Sequence, residues 1–170
     1  MNNLMETDIE NTIRVLEQGG TILYPTDTIW GIGCDATNTK AVEKIYQIKS
    51  RTEAKSLIIL LDSFEKLPTY VEKVPDITSD LLNSITNPLT IIYSNARKLA
   101  QNVVAADGTV GIRIVKDDFC NELIRRFGKP IVSTSANISG FDPPAVFSQI
   151  AKEIRDSVDY TVLYKQDYFT

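Results

Sequence analysis

Residues 7–35 read TDIENTIRVLEQGGTILYPTDTIWGIGCD, and this stretch decides the fold class. Thr7-Asp8-Ile9-Glu10 has the form of a capping box, in which a hydroxyl and an acid three residues on satisfy each other's backbone donors. Ile9, Ile13 and Leu16 then recur at helical spacing, and Gly19-Gly20 stops the helix. Thr21 to Tyr24 reads as a strand ending at Pro25. A helix that feeds a short apolar strand, which runs into a polar loop, is the unit of an α/β or α+β domain.

The same alternation continues outward. Asn38 is placed to cap a second helix whose apolar face is Val42, Ile45 and Ile48. Leu57 to Leu61 reads as a buried strand, and Ser63 to Ile85 as helix broken at Pro68 and Pro75. Leu89 to Tyr93 and Val110 to Ile114 are strands. Phe119, Leu123, Ile124 and Phe127 line a helix that ends at Gly128. Pro130 to Ser133 is a short strand feeding a polar loop from Thr134 to Asp142. A last helix is expected from Pro144 to Ile154, with Pro in its first turn, and Tyr160 to Tyr164 closes as a strand. With no repeat, long linker or low-complexity tract, the 170 residues read as one domain, 1–170.

Composition narrows the chemistry. Apolar residues make up 43% and charged residues 24%, ordinary for a soluble globular protein. The longest apolar runs are too short to span a bilayer, and MNNLMETDIE lacks the features of a signal peptide, so no membrane association and a cytoplasmic location are expected. The two cysteines, Cys34 and Cys120, read as small buried hydrophobes. The chain has no histidine, which removes His-based triads, His metal sites and imidazole acid–base chemistry. Its net charge of −4 argues against a sequence-independent RNA binder, so any anion site must be local.

Four polar clusters sit where strands end, the place where α/β folds carry their sites. The first runs from Tyr24 to Asp35, with Thr26, Asp27 and Thr28 ahead of Trp30 and two glycines. Trp30 on its own reads as core. The second, Lys49 to Leu57, holds Lys49, Arg51 and Lys55 within seven residues and suits a polyphosphate. The third, Asp107 to Arg113, places an arginine in an apolar strand, where it needs an anionic partner or a solvent-filled cleft. The fourth, Ser133-Thr134-Ser135-Ala136-Asn137-Ile138-Ser139-Gly140, can bind anions through hydroxyls and backbone N–H groups. Each also has a bland reading as a turn, a solvated basic loop or an edge strand. No Walker A pattern, dinucleotide fingerprint or nucleophile elbow is present.

Taken in order, the clusters resemble the YrdC/TsaC family of threonylcarbamoyl-AMP synthases. PTDTIWGIG at 25–33, KSRTEAKSL at 49–57, the PLT strand at 88–90, the TVGIR strand at 109–113 and STSANISG at 133–140 match that family's motifs across nearly the whole chain. The resemblance implies an open, twisted, mixed α/β sheet with flanking helices and a large concave polar cavity. It implies an ATP-using nucleotidyltransferase: threonine and bicarbonate form a carbamate, which attacks the α-phosphate of ATP to give threonylcarbamoyl-AMP and pyrophosphate. A partner transferase complex then moves the threonylcarbamoyl group onto tRNA adenosine.

Carried over by position, Lys49 and Arg51 are the catalytic cations. Lys49, Arg51, Lys55, Thr109, Ser135 and Asn137 hold ATP, and Thr28, Arg113 and Ser133 hold threonine. Magnesium is expected to enter with ATP, with no protein metal ligands assigned and Asp27 as a more distant carboxylate or a turn residue. The chain departs from the pattern at Ser56, where Pro is usual, at Asn87-Pro88-Leu89-Thr90, which lacks the usual P-G, and at Val115, a frequent Pro. At Leu60 many members carry a His beside threonine. Two other readings stand beside the synthase: a module binding tRNA or double-stranded RNA, and a paralogue making another carbamoyl or acyl adenylate.

Overall fold

A computed structural model describes residues 2–50 and 57–167. The first helix, α1, spans Asn3–Glu17, and the Asn2 side chain, not Thr7, accepts from the Leu4 N–H at its start. The capping box expected at Thr7 is therefore interior helix. The apolar stripe begins a turn earlier, at buried Met5, and pulls the N-terminus back with it. Asp8 is also buried: its carboxylate accepts from the Tyr160 hydroxyl and from the backbone N–H groups of Leu163 and Tyr164. Those bonds take the donors that a closing strand would use. That strand, β7, is thereby cut to Tyr160–Thr161.

Strands β1 (Ile22–Pro25) and β2 (Trp30–Gly33) form an antiparallel hairpin. The sequence from Trp30 to Gly33 reads as part of a polar, glycine-containing loop. It is a strand because its glycines serve close packing: a Cβ at Gly33 would stand 2.5 Å from the Val132 carbonyl oxygen and 2.7 Å from Tyr24 Cε1. Helix α2 (Thr39–Lys49) starts at the expected cap, where Asn38 Oδ1 accepts from the Ala41 N–H. Next come β3 (Ile58–Leu61), α3 (Leu67–Tyr70), α4 (Ile77–Ser84), β4 (Thr90–Tyr93) and β5 (Val110–Ile114). Pro68 lies in the first turn of α3, where its missing N–H does no harm, rather than breaking it. Helix α5 (Asp118–Phe127) ends on Gly128 at φ 83°, as its sequence requires.

Strand β6 (Ile131–Ser135) runs two residues into the expected polar loop. The helix expected from Pro144 to Ile154 does not form. A 3₁₀ turn occupies Phe147–Gln149, and α6 begins only at Lys152 and ends at Ser157. Gln149 Oε1 accepts from the Ala145 N–H, which replaces helical bonding in the first turn, and Ala151 then enters with extended backbone.

The strands form one mixed sheet in the order β4-β5-β3-β6-β2-β1-β7, parallel at β3/β5 and β1/β7 and antiparallel elsewhere. Its central members are apolar and buried, with Leu23, Ile32, Ile59, Leu60, Ile112 and Val132 at most 2% exposed. Each such side chain contributes about 1.5–3 kcal/mol on leaving water. Register decides what faces the site. Leu60 pairs with Arg113 and Ile131, Ile58 with Ser133, and Gly31 with Ser135 and Tyr24. Side chains alternate along a strand, so Tyr24, Leu60, Arg113, Ser133 and Ser135 share one face, and glycine leaves that face open at position 31. Among the described residues, no helix is long and apolar enough to cross a membrane.

Candidate active site

The turn between β1 and β2 is braced by its own hydroxyls. Thr26 Oγ1 donates to the Ile29 carbonyl at 2.6 Å and accepts from the Thr28 N–H at 3.1 Å. The Thr26 and Thr28 hydroxyls are themselves 3.1 Å apart. This fixes Thr28 and Asp27 toward the middle of the sheet. Arg113 reaches them from β5: its Nη2 donates to Asp27 Oδ1 at 2.7 Å and lies 3.5 Å from Thr28 Oγ1. Both charged side chains are nearly enclosed, 8% and 10% exposed, which is tolerable because each neutralises the other. The anionic partner that an arginine in this strand requires is thus Asp27. The signal for the pairing was in the sequence, a buried-strand cation and a strand-end carboxylate, but nothing in their spacing joined them.

A cavity of about 210 Å³ opens against this group. Thr26, Thr28, Trp30, Gly31, Ile58, Arg113, Ser133, Thr134 and Ser135 line it. Gly31 keeps it open, since a Cβ there would meet Ser133 Oγ at 3.1 Å and the Thr134 carbonyl at 3.2 Å. Arg113 Nε is buried and, among the described residues, has no hydrogen-bond partner. Arg113 itself lines the cavity, so an anionic ligand there can meet the accessible side of the guanidinium. At this size the cavity suits an amino acid rather than a molecule that fills the 300–1,000 Å³ or so of larger ligand clefts.

Thr28, Arg113 and Ser133, the residues expected on the threonine side, thus line one cavity. Leu60, where many relatives of the resembled family carry His, is fully buried beside Arg113 and does not line it. Trp30 is core, as expected: its ring packs 4.9 Å from that of Phe147.

Ser135 belongs both to this cavity and to a second arrangement. Lys49, the last residue of α2, is fully buried, and its Nζ donates to the Ser135 carbonyl at 2.7 Å. It also reaches Ser135 Oγ at 3.3 Å and Asn137 Oδ1 at 3.4 Å. Asn137 in turn donates to the Phe141 carbonyl at 2.7 Å and the Ile138 carbonyl at 3.1 Å, and the Ser139 N–H donates to the Lys49 carbonyl. The serine–asparagine loop is therefore shaped around the end of α2. Of the expected nucleotide residues, Lys49, Ser135 and Asn137 come together here.

Thr109 does not join them. It precedes β5, about 13 Å of strand from Arg113, and donates its hydroxyl to Asp107 Oδ1 at 2.7 Å. Arg51 and Lys55 lie outside the described residues.

A larger cavity lies elsewhere. A space of about 880 Å³, lined by Asp62, Phe64, Lys116, Asn121, Glu122 and Tyr164 among others, holds none of the expected site residues. Chemistry rather than size therefore marks the site. Burial pushes the Cys34 and Cys120 thiols and the Tyr24 phenol well up, so all three stay protonated near neutral pH. Cys34 and Cys120 are free, buried cysteines and supply no thiolate nucleophile. Among the described residues, no three acidic, cysteine or histidine side chains come close enough to hold a metal ion. Asp27, which stands outside the 210 Å³ cavity, is engaged by Arg113.

Comparison with known proteins gives concordant results. The Sua5/YciO/YrdC family model, described as "Telomere recombination", matches residues 14–168. A threonylcarbamoyl-AMP synthase of Pseudoalteromonas translucida is 33% identical over 160 residues, covering 92% of this chain and 86% of the relative. Among solved structures, P. abyssi Sua5 complexed with L-threonine superposes with a TM-score of 0.83 at 26% identity over 90% of this chain. This chain spans only 45% of that longer protein. E. coli YciO shares the fold, with a TM-score of 0.78 at 22% identity over 90% of this chain and 75% of its own.

Proposed function

From the chain's membership of the Sua5/YciO/YrdC family, together with the geometry of the 210 Å³ cavity, we propose that it is a threonylcarbamoyl-AMP synthase, using L-threonine, bicarbonate and ATP. The observation that carries the reading is the Arg113 guanidinium, held by Asp27 on one side and lining a cavity shared by Thr28, Ser133 and Ser135. The threonine carboxylate takes the free side of the guanidinium, and the Thr28 and Ser133 hydroxyls meet the rest of the amino acid. Ser135 stands at the junction, so the nucleotide lies beyond it, against the loop that Lys49 shapes.

The reaction needs no covalent nucleophile, which agrees with protonated, buried thiols. The threonine amine and bicarbonate lose water to form a carbamate. A carbamate oxygen then bonds to the α-phosphorus as the bond from that phosphorus to the β-phosphate bridging oxygen breaks, and pyrophosphate leaves. Two anions must meet in line, so the barrier is lowered by alignment and by cations on the phosphate oxygens. Arg113 holds one reactant, while Lys49, Arg51 and Lys55 serve the other. Lys49 does so by fixing Ser135 and Asn137 as well as by its charge. Magnesium belongs to this scheme as part of the substrate, carried on ATP oxygens, because the described donor set supplies no cage of its own. The product is a mixed anhydride, and a transferase acting on tRNA adenosine consumes it.

Incubation with ATP, L-threonine and isotope-labelled bicarbonate tests the reading. Label is expected in an AMP adduct that releases AMP on hydrolysis. Label confined to free carbonate, with intact ATP, would overturn it. Arg51→Ala is expected to abolish nearly all adduct formation; an unchanged rate would remove Arg51 from the phosphate site.

A further inference from the structure

The Asp27–Arg113 pair carries a step beyond the proposed function, and the step rests on that reading. Arg113 lines the 210 Å³ cavity, whereas Asp27 lines a separate cavity of about 300 Å³, with Ile85, Leu89, Lys116 and Asp117 in its wall. The carboxylate therefore approaches the guanidinium from outside the amino-acid cavity. A guanidinium is a rigid, planar fork, so holding one nitrogen decides where the others point. Nη2 is held by Asp27 at 2.7 Å, with Thr28 Oγ1 at 3.5 Å, and among the described residues the buried Nε is left with its proton unmatched. Asp27 itself cannot drift, because the turn that carries it is closed by the Thr26 hydroxyl on both sides.

We propose that Asp27 is the positioning residue for threonine capture: it fixes the Arg113 guanidinium so that the side of it that lines the cavity meets the incoming carboxylate, without touching the substrate itself. Charge alone predicts the reverse. A carboxylate this close to Arg113 repels the substrate carboxylate, so its removal would tighten threonine binding if electrostatics ruled. Positioning and charge can therefore be separated. Asp27→Asn keeps an oxygen where Nη2 donates and removes the charge. Asp27→Glu keeps the charge and displaces the oxygens by one methylene. Asp27→Ala removes both.

On the positioning account, D27A and D27E in the full chain raise the threonine KM for pyrophosphate release at least tenfold. D27N raises it less than about threefold, and the ATP KM moves less than about threefold in all three. If D27A does not fold, the contrast between D27N and D27E decides alone. Tighter threonine binding in D27N with little change in D27E, or equal rises in the threonine and ATP KM values, would overturn the proposal.

A second measurement does not depend on the substrate. The Arg113 Nε–H resonance in ¹⁵N spectra, assigned with Arg113→Lys, is expected to exchange slowly in the unmodified chain and in D27N, and to broaden or vanish in D27E. Persistence of a sharp, protected resonance in D27E overturns the positioning role, whatever the enzyme's substrate. Absence of threonine-dependent turnover in the unmodified chain instead strikes the functional reading.

Discussion

Among the described residues, two cations are buried against this sheet, and the protein holds them by different means. Arg113 meets a carboxylate delivered by a hairpin turn 86 residues away in sequence, and it also lines a cavity. Lys49 is spent on the polypeptide: its ammonium gathers a carbonyl, a hydroxyl and an amide oxygen from the Ser135–Asn137 loop. The difference follows from side-chain chemistry. A planar guanidinium can be fixed on one side and bind on the other, whereas an ammonium is a point charge that organises whatever oxygens surround it. On the proposed function, Arg113 is accordingly a recognition group and Lys49 an organiser of the neighbouring loop.

Substitutions can break this contrast. Arg113→Ala is expected to have the largest effect, because it removes the carboxylate anchor and leaves Asp27 enclosed without its partner. Loss of a charged hydrogen bond is worth about 1.5–3 kcal/mol, or roughly ten- to a hundredfold in the threonine KM. The stranded carboxylate adds about 3 kcal/mol of lost stability. Steady-state kinetics with each substrate varied in turn checks the first effect, and the ATP KM should change far less. Equal losses for both substrates would erase the distinction between the two cations.

Lys49→Ala is expected to act first on the loop. It removes charged donors worth about 1.5–3 kcal/mol, a fall of roughly 3–12 °C in Tm for a chain of this size. Calorimetry reads the Tm, and the ATP KM should rise more than the threonine KM. Gly33→Ala, by contrast, touches neither cation. Its Cβ would press on the Val132 carbonyl and the Tyr24 ring, and a loss of about 1–3 kcal/mol by denaturant unfolding is expected. The smallest effect belongs to Ser133→Ala, one hydroxyl in the cavity wall. It should cost about 1 kcal/mol, near fivefold in the threonine KM, with little change in Tm.

Much of this fold could be read in advance because its signals were local. Asn38 at the head of α2 and Gly128 at the foot of α5 act on backbone groups within a few residues of themselves. What escaped reading depended on distant partners. Gly31 and Gly33 look like turn residues until β6 and Tyr24 are seen to pack against them. Asp8 looks like part of a helix cap until the chain near Leu163 returns to it. Gln149 looks like an ordinary helix residue until its side chain takes the Ala145 donor.

The site divides the same way. Thr28, Ser133, Arg113, Lys49, Ser135 and Asn137 were singled out from motif order, and the sheet brings them into two adjoining groups that share Ser135. Thr109 was singled out on the same grounds, yet its hydroxyl serves the Asp107 turn. Asp27 as Arg113's partner needed the hairpin and β5 to be seen side by side.

The central claim is that one cavity selects L-threonine for ATP-dependent adenylation. Pyrophosphate release measured with ATP and bicarbonate, alone and with L-threonine or L-serine, tests it most directly. The account predicts release that depends on L-threonine and is weaker with L-serine, which lacks the methyl group. Release that is equal with and without an amino acid, or no release under any of the three conditions, would contradict it.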